Sequence, residues 1–299
     1  MFGDFKNAFQ RYNNSHVQLI YVNVVVFLAL GLLFVVAKFS STPAIFTEVY
    51  KQFTLPSDLT ELVKRPWTLI TYGFAHHFNF NPGHIDIFHI LFNMLGLYWF
   101  GRVFVEYLGS DKLIAVYVLG VLAGGILYLL LYNTIPVFME TRATLVGASA
   151  AVFAVMTAVA VLIPDYSFYL LLLGPVKVKY IAAFYIVISL LFSAVENAGG
   201  NFAHLGGAFI GFVYIRQLQA GSDWGSWITM TIDWVKSLFQ ERRRVKVSYR
   251  NQAKDERRRT TTSTVSQAEI DAILDKINAG GYESLTKDEK EKLFNASKK

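Results

Sequence analysis

The chain has 299 residues, 54% of them hydrophobic and 17% charged, with a mean hydropathy of +0.37. That balance excludes a soluble globular domain and predicts an all-α polytopic membrane protein, and the absence of cysteine excludes disulfides, thiolate metal sites and a cysteine nucleophile. The formal charge of +6 is concentrated in one place: residues 240–260 hold nine Lys/Arg against three Asp/Glu, leaving 19 of each sign elsewhere.

Residues 1–16, "MFGDFKNAFQRYNNSH", are expected to form a cytoplasmic N-terminal segment. They are too polar, and run too long before the first apolar stretch, to read as a cleavable signal peptide. A transmembrane helix needs about 20 mostly apolar residues. Six stretches qualify: 17–38, 85–107, 113–132, 144–163, 178–196 and 201–220, together a six-span core over 17–220. Residues 41–84, between the first two, mix short amphipathic pieces, charges, prolines and aromatics. They predict a large interfacial loop with one or two short surface helices.

The connection "IPDYSFYLLLLGPVKVKY" (163–180) is broken by Pro164, Gly174 and Pro175, and predicts a short interfacial hairpin. Residues 221–240 carry Trp224, Trp227 and Trp234 beside a polar face, as an interfacial amphipathic helix would. A basic linker over 241–265 leads to a helical hairpin over 266–299. There Ser266 and Glu269 fit a capping box, Gly280-Gly281 a stop, and Ser284 or Thr286 a second start.

Six spans put both termini on one side, and the basic tail makes that side cytoplasmic. Arg102, Lys112, Lys177 and Lys179 fall on the same inner side, which leaves 41–84, 133–143 and 197–200 outside. The cluster at 241–259 is assigned to anionic membrane lipid, a simpler partner for a juxtamembrane segment than nucleic acid, which is not expected.

On this topology spans 2, 4 and 6 all run inward. His89 and Asn93 lie in the first turns of span 2, Ser149 about six residues into span 4, and His204 a turn into span 6. At about 1.5 Å per residue the four are expected in one layer, roughly 5–12 Å below the outer surface. Polar and ionisable groups within a bilayer are costly and mark function. A serine needs a base to become a nucleophile, and His204 supplies one if spans 4 and 6 touch. Gly147, Ala148, Ala150, Gly207 and Gly211 permit that contact. His89 and Asn93 share a helix face at i and i+4 and can donate to an oxyanion, as can the Ser149 N–H near a helix start. No carboxylate is placed to orient His204, Glu196 being a poor candidate, so the expected unit is a Ser-His dyad.

Gly147-Ala-Ser149-Ala resembles the GxSx nucleophile motif of the rhomboid family of intramembrane serine proteases. His204-xx-Gly207-xxx-Gly211 is similar to that family's histidine-helix pattern, and His89-xxx-Asn93 to its oxyanion motif. The likeness covers about 45–220, including "EYLGSDKLIAVYVLGVLAGG" (106–125). It implies a six-helix rhomboid bundle of the bacterial type with a C-terminal cytoplasmic extension, set in a cell membrane, expected to be a bacterial inner membrane. It implies Ser149 as nucleophile, His204 as general base, and His89 and Asn93 as oxyanion donors. Phe153 takes the place of the ring that packs on the histidine, with Gly147 beside the site. The implied substrates are membrane proteins cut in or near a transmembrane helix on the outer-leaflet side, without a cofactor. Two departures stand out: Trp67 is followed by Thr68 where the family commonly has arginine, and Ala150 stands where glycine is common.

Three other readings compete. A catalytically inactive rhomboid-like protein would bind membrane helices, but such members lack the serine or histidine. A transporter would need mid-membrane charges or an internal repeat, and neither is visible. His76, His77, His84 and His89 invite a metal site, but no acidic cluster or HExxH accompanies them.

Overall fold

The computed structural model describes residues 13–78, 87–239 and 266–297. The chain divides into two compact units, Met1–Gln240 and Glu241–Lys299. Helix α1 (Ser15–Phe39) opens the first unit and is followed by short helices α2 (Pro43–Tyr50), α3 (Leu59–Lys64) and α4 (Thr68–Thr71). Then come α5 (Ile87–Leu108), α6 (Ser110–Thr134), the single turn α7 (Pro136–Met139) and α8 (Ser149–Leu162). Helices α9 (Val178–Phe192), α10 (Ala198–Gln219) and α11 (Ser226–Phe239) complete the unit.

Among the described residues α1, α5 and α6 are long and apolar enough to cross a membrane, while α8 and α9 are apolar but shorter. Helix α9 turns Tyr180, Phe184, Val187 and Leu191 outward, all exposed. In water such a face would aggregate; against acyl chains it is matched. The reversal from α5 to α6 is made by Gly109, whose φ of +83° disfavours a side chain. Residues 167–170 and 174–177 pair as an antiparallel hairpin where the broken apolar run predicts one.

The expected span 144–163 differs in its first turn. Residues Thr144–Leu145 (β2) are extended and pair antiparallel with Leu55–Pro56 (β1), Leu55 opposite Leu145. Gly147, at φ +132°, stays out of the helix and donates its N–H to the Tyr72 carbonyl at 3.0 Å. Ser149 is therefore the first residue of its helix and not six residues into one. Its depth follows from this extended entry, so the helical rise counted from residue 144 is corrected.

Around α8 the packing is close. A Cβ on Gly207 would run into the Ala150 carbonyl, and one on Gly211 into the Ala154 carbonyl. On the other side, a Cβ on Gly124 of α6 would stand 2.6 Å from that of Ala150. Small residues at these crossings let α6, α8 and α10 approach backbone to backbone, which is how helices gain dispersion energy where the hydrophobic effect gives none. Ala150 and Ala154 accordingly show no more than 1% exposure.

The first loop is tied down without an arginine after Trp67. Thr68 is fully buried and donates its hydroxyl to the Arg65 carbonyl at 2.7 Å. Arg65 itself reaches the Lys51 carbonyl at 3.0 Å and Glu61 at 3.0 Å. Thr71 donates to the Gln52 carbonyl at 2.7 Å and Tyr72 to that of Val121 at 2.6 Å. The short helices are thereby tied to one another, and Tyr72 ties them to α6.

In the second unit α12 (Gln267–Gly280) and α13 (Lys287–Ala296) form a pair. The expected capping box of Ser266 with Glu269 closes, and the second start is a capping box as well, of Thr286 with Glu289. Gly281, at φ +77°, ends the first helix. Lys276 meets Glu289 at 2.8 Å and, with the Thr286 contacts, holds its carboxyl down at about 2. The basic linker assigned to 241–265 lies outside the described residues.

Candidate active site

Ser149 and His204 are 55 residues apart in sequence, yet their side chains meet: His204 Nε2 lies 2.7 Å from Ser149 Oγ. The contact exists because Gly207 and Gly211 bring α10 onto α8, so the histidine a turn earlier arrives level with the first residue of α8. At that position the Ser149 N–H is one of the helix's unpaired N-terminal donors. Phe153, one turn further along α8, stacks on the imidazole with centroids 4.4 Å apart and planes at 10°. The ring is thus fixed on one face as well as at one nitrogen.

The other nitrogen has a partner that the sequence did not reveal. Ser189 Oγ, on α9, lies 3.1 Å from His204 Nδ1, and Ser189 is buried at 4% exposure. It sits three residues before the end of α9, while His204 lies six residues into α10. Folding the two helices about the 193–197 turn brings both near one level, the single cue available beforehand. Glu196 is exposed; its N–H donates to the Phe192 carbonyl at 3.0 Å and its carbonyl accepts from Asn201 at 2.9 Å.

His89 enters the same space from α5. A Cβ built on Gly147 would lie 3.5 Å from His89 Nε2 and 3.7 Å from Ser149 Oγ, so both groups border the volume that Gly147 leaves empty. Any larger residue at 147 would close it. Asn93 is buried at 6% exposure, and its Nδ2 donates to the His89 carbonyl at 2.8 Å. One amide proton is used within the helix, and one remains.

Behind His89 lies His76, fully buried, with ring centroids 5.7 Å apart. Neither His76 ring nitrogen has a hydrogen-bond partner among the described residues. Burial first, and then repulsion from His89, lower its pKa to about 3, so it is neutral at physiological pH. No group of three His, Asp or Glu side chains is placed to hold a metal among the described residues, and His84 lies outside them.

The model of the rhomboid domain family matches residues 64–219, slightly more than half of the chain. The chain belongs to the rhomboid family. It is similar to RHOMBOID-like protein 12, mitochondrial, of Arabidopsis thaliana, with 33% identity over 165 residues, 52% of this chain and 47% of that relative. The chain thus spans about half the length of this curated relative. Residues 256–299 separately match a family of unknown function (DUF6576). The rhomboid match contains His89, Asn93, Gly147, Ser149, Phe153, Ser189 and His204, and ends at the last residue of α10.

Proposed function

We propose that this rhomboid is an intramembrane serine endopeptidase in which Ser149 is the nucleophile and His204 the general base. The observation that carries the reading is the 2.7 Å contact between His204 Nε2 and Ser149 Oγ, with the imidazole pinned by Phe153. Ser149 gives its hydroxyl proton to Nε2 as Oγ attacks the scissile carbonyl carbon, and the carbonyl π pair moves onto oxygen. Collapse expels the amine, which takes the proton from Nε2. Water, deprotonated by the same nitrogen, then hydrolyses the ester and restores the serine. The oxyanion is assigned to the Ser149 N–H, His89 and the second amide proton of Asn93.

Six spans are proposed: α1, α5, α6, α8, α9 and α10. Helix α8, with 14 residues, is about 21 Å long, short of the roughly 30 Å of a hydrocarbon core. The non-helical 144–148 entry, extended at Thr144–Leu145, supplies the missing length at its N-terminal end. This supports a nucleophile recessed below the outer surface and open to water from outside, which deacylation consumes. The proposed substrates are membrane proteins whose helix unwinds near that depth, because a helical peptide bond is shielded by its own hydrogen bonds. The site is placed on the outer side and both termini in the cytoplasm, in a bacterial cell membrane. The Lys/Arg distribution supports the orientation.

The test is activity of purified protein on a model transmembrane substrate, together with labelling by a fluorophosphonate. Ser149→Ala and His204→Ala should each abolish both signals while folding and insertion persist. Cleavage retained by either variant would remove the dyad. A binding protein without catalysis would leave wild type inactive in both assays.

A further inference from the structure

We propose that Ser189 is a positioning residue whose hydroxyl accepts a hydrogen bond from His204 Nδ1–H, leaving Nε2 bare toward Ser149. The inference rests on the dyad reading and adds a third, neutral member drawn from a different helix. Three contacts then define the imidazole: Phe153 on its face, Ser149 at Nε2 and Ser189 at Nδ1.

The two neutral tautomers of histidine differ in which nitrogen carries the proton, and a bond at one nitrogen selects the state of the other. Only the Nδ1–H form can take a proton at Nε2. Ser189 is suited to favour it, since its oxygen can accept from Nδ1–H. When Ser149 loses its proton the imidazole becomes a cation, and the same bond becomes charge-assisted and stronger. A carboxylate here would need burial of a second charge, whereas a hydroxyl needs none.

The ordinary role of serine within a helix is to donate back to a carbonyl of the preceding turn. Ser193, the C-cap residue just past the end of α9, does so, reaching the Leu190 carbonyl at 2.6 Å. Ser189 instead makes its described side-chain contact across to α10. Among the described residues, the titratable group on another element that acts on His204 is His89 of α5. It is common to wild type and to every variant below, so differences among them report on Ser189.

The experiment uses the full chain in detergent micelles and follows the rate constant of Ser149 labelling by a fluorophosphonate across pH. Ser189→Ala and Ser189→Val are expected to label about three- to tenfold more slowly at neutral pH, the effect of one lost hydrogen bond. Their acid limb should move to lower pH, because the imidazolium has lost its acceptor and gives up its proton more readily. Ser189→Thr, which has the shape of the valine variant but keeps the hydroxyl, should hold the wild-type limb and most of the rate. A wild-type rate in Ser189→Ala would overturn the proposal. So would a slower rate with an unmoved acid limb, or threonine and valine variants that behave alike, since packing alone would give these. Failure of the dyad reading looks different: His204→Ala would then label as fast as wild type, whatever Ser189 does.

Discussion

Among the proposed site residues, Asn93 is the one whose role the geometry makes most open to measurement. Its Nδ2 already serves the His89 carbonyl, so only its second proton can meet an oxyanion. Removing one such donor typically lowers turnover by about 10²–10³; with His89 and the Ser149 N–H still in place, Asn93→Ala is expected to lose less, with KM little changed. Measuring kcat and melting temperature together decides it: a normal kcat per folded molecule with a lowered melting temperature would make Asn93 a helix brace only. His76 gives a pH prediction. Its pKa is about 3 in the fold, below the ordinary value of 6.5, so the unfolded chain binds a proton there that the folded chain refuses. Above pH 6.5 the group has no effect on stability; as pH falls from 6.5 toward 3 the fold is penalised by up to about 1.4 kcal/mol per unit. Melting of His76→Phe over that window should therefore fall less steeply than wild type, and parallel curves would refute the assignment. Ser149, His204, His89 and Asn93 could be singled out in the sequence as candidates because polar groups are conspicuous in apolar helices. Ser189 could not, because a helical serine ordinarily satisfies itself and nothing local signals that this one does not.

At the level of elements, the α8–α10 crossing decides whether His204 and Ser149 meet. A methyl on Gly207 would need the space of the Ala150 carbonyl. Gly207→Ala should therefore push α10 away, cost about 1–3 kcal/mol of stability and lengthen the Ser149–His204 contact. The expected result is a lower melting temperature with slower fluorophosphonate labelling, and an unchanged labelling rate would show that the crossing can give without disturbing the site. The long helices could be placed from apolar length alone, and both ends of the C-terminal pair from capping chemistry. The start of α8 could not. "TLVGA" is as apolar as a helix would be, and what makes it extended is pairing with Leu55–Pro56, a partner far away in sequence that no local pattern announces.

For the whole molecule the charge distribution predicts orientation. A reporter fused after Lys299 should be cytoplasmic and one inserted within 78–83 external, each read by a membrane-impermeant label. The reverse pair would place Ser149 toward the inner surface and remove the outer-leaflet substrate assignment. The separation of the dyad along the chain also has a consequence in time. His204, the proposed base, is encoded 55 residues after Ser149, the proposed nucleophile. At about 5–20 residues per second, a chain under synthesis carries Ser149 for roughly 3–11 s before His204 has been made. Over that interval the serine is an ordinary alcohol in a half-built bundle. Only when the glycine face of α10 closes on α8 does it meet His204, so on the proposed reading a nascent chain threading among other newly inserted helices passes them unarmed.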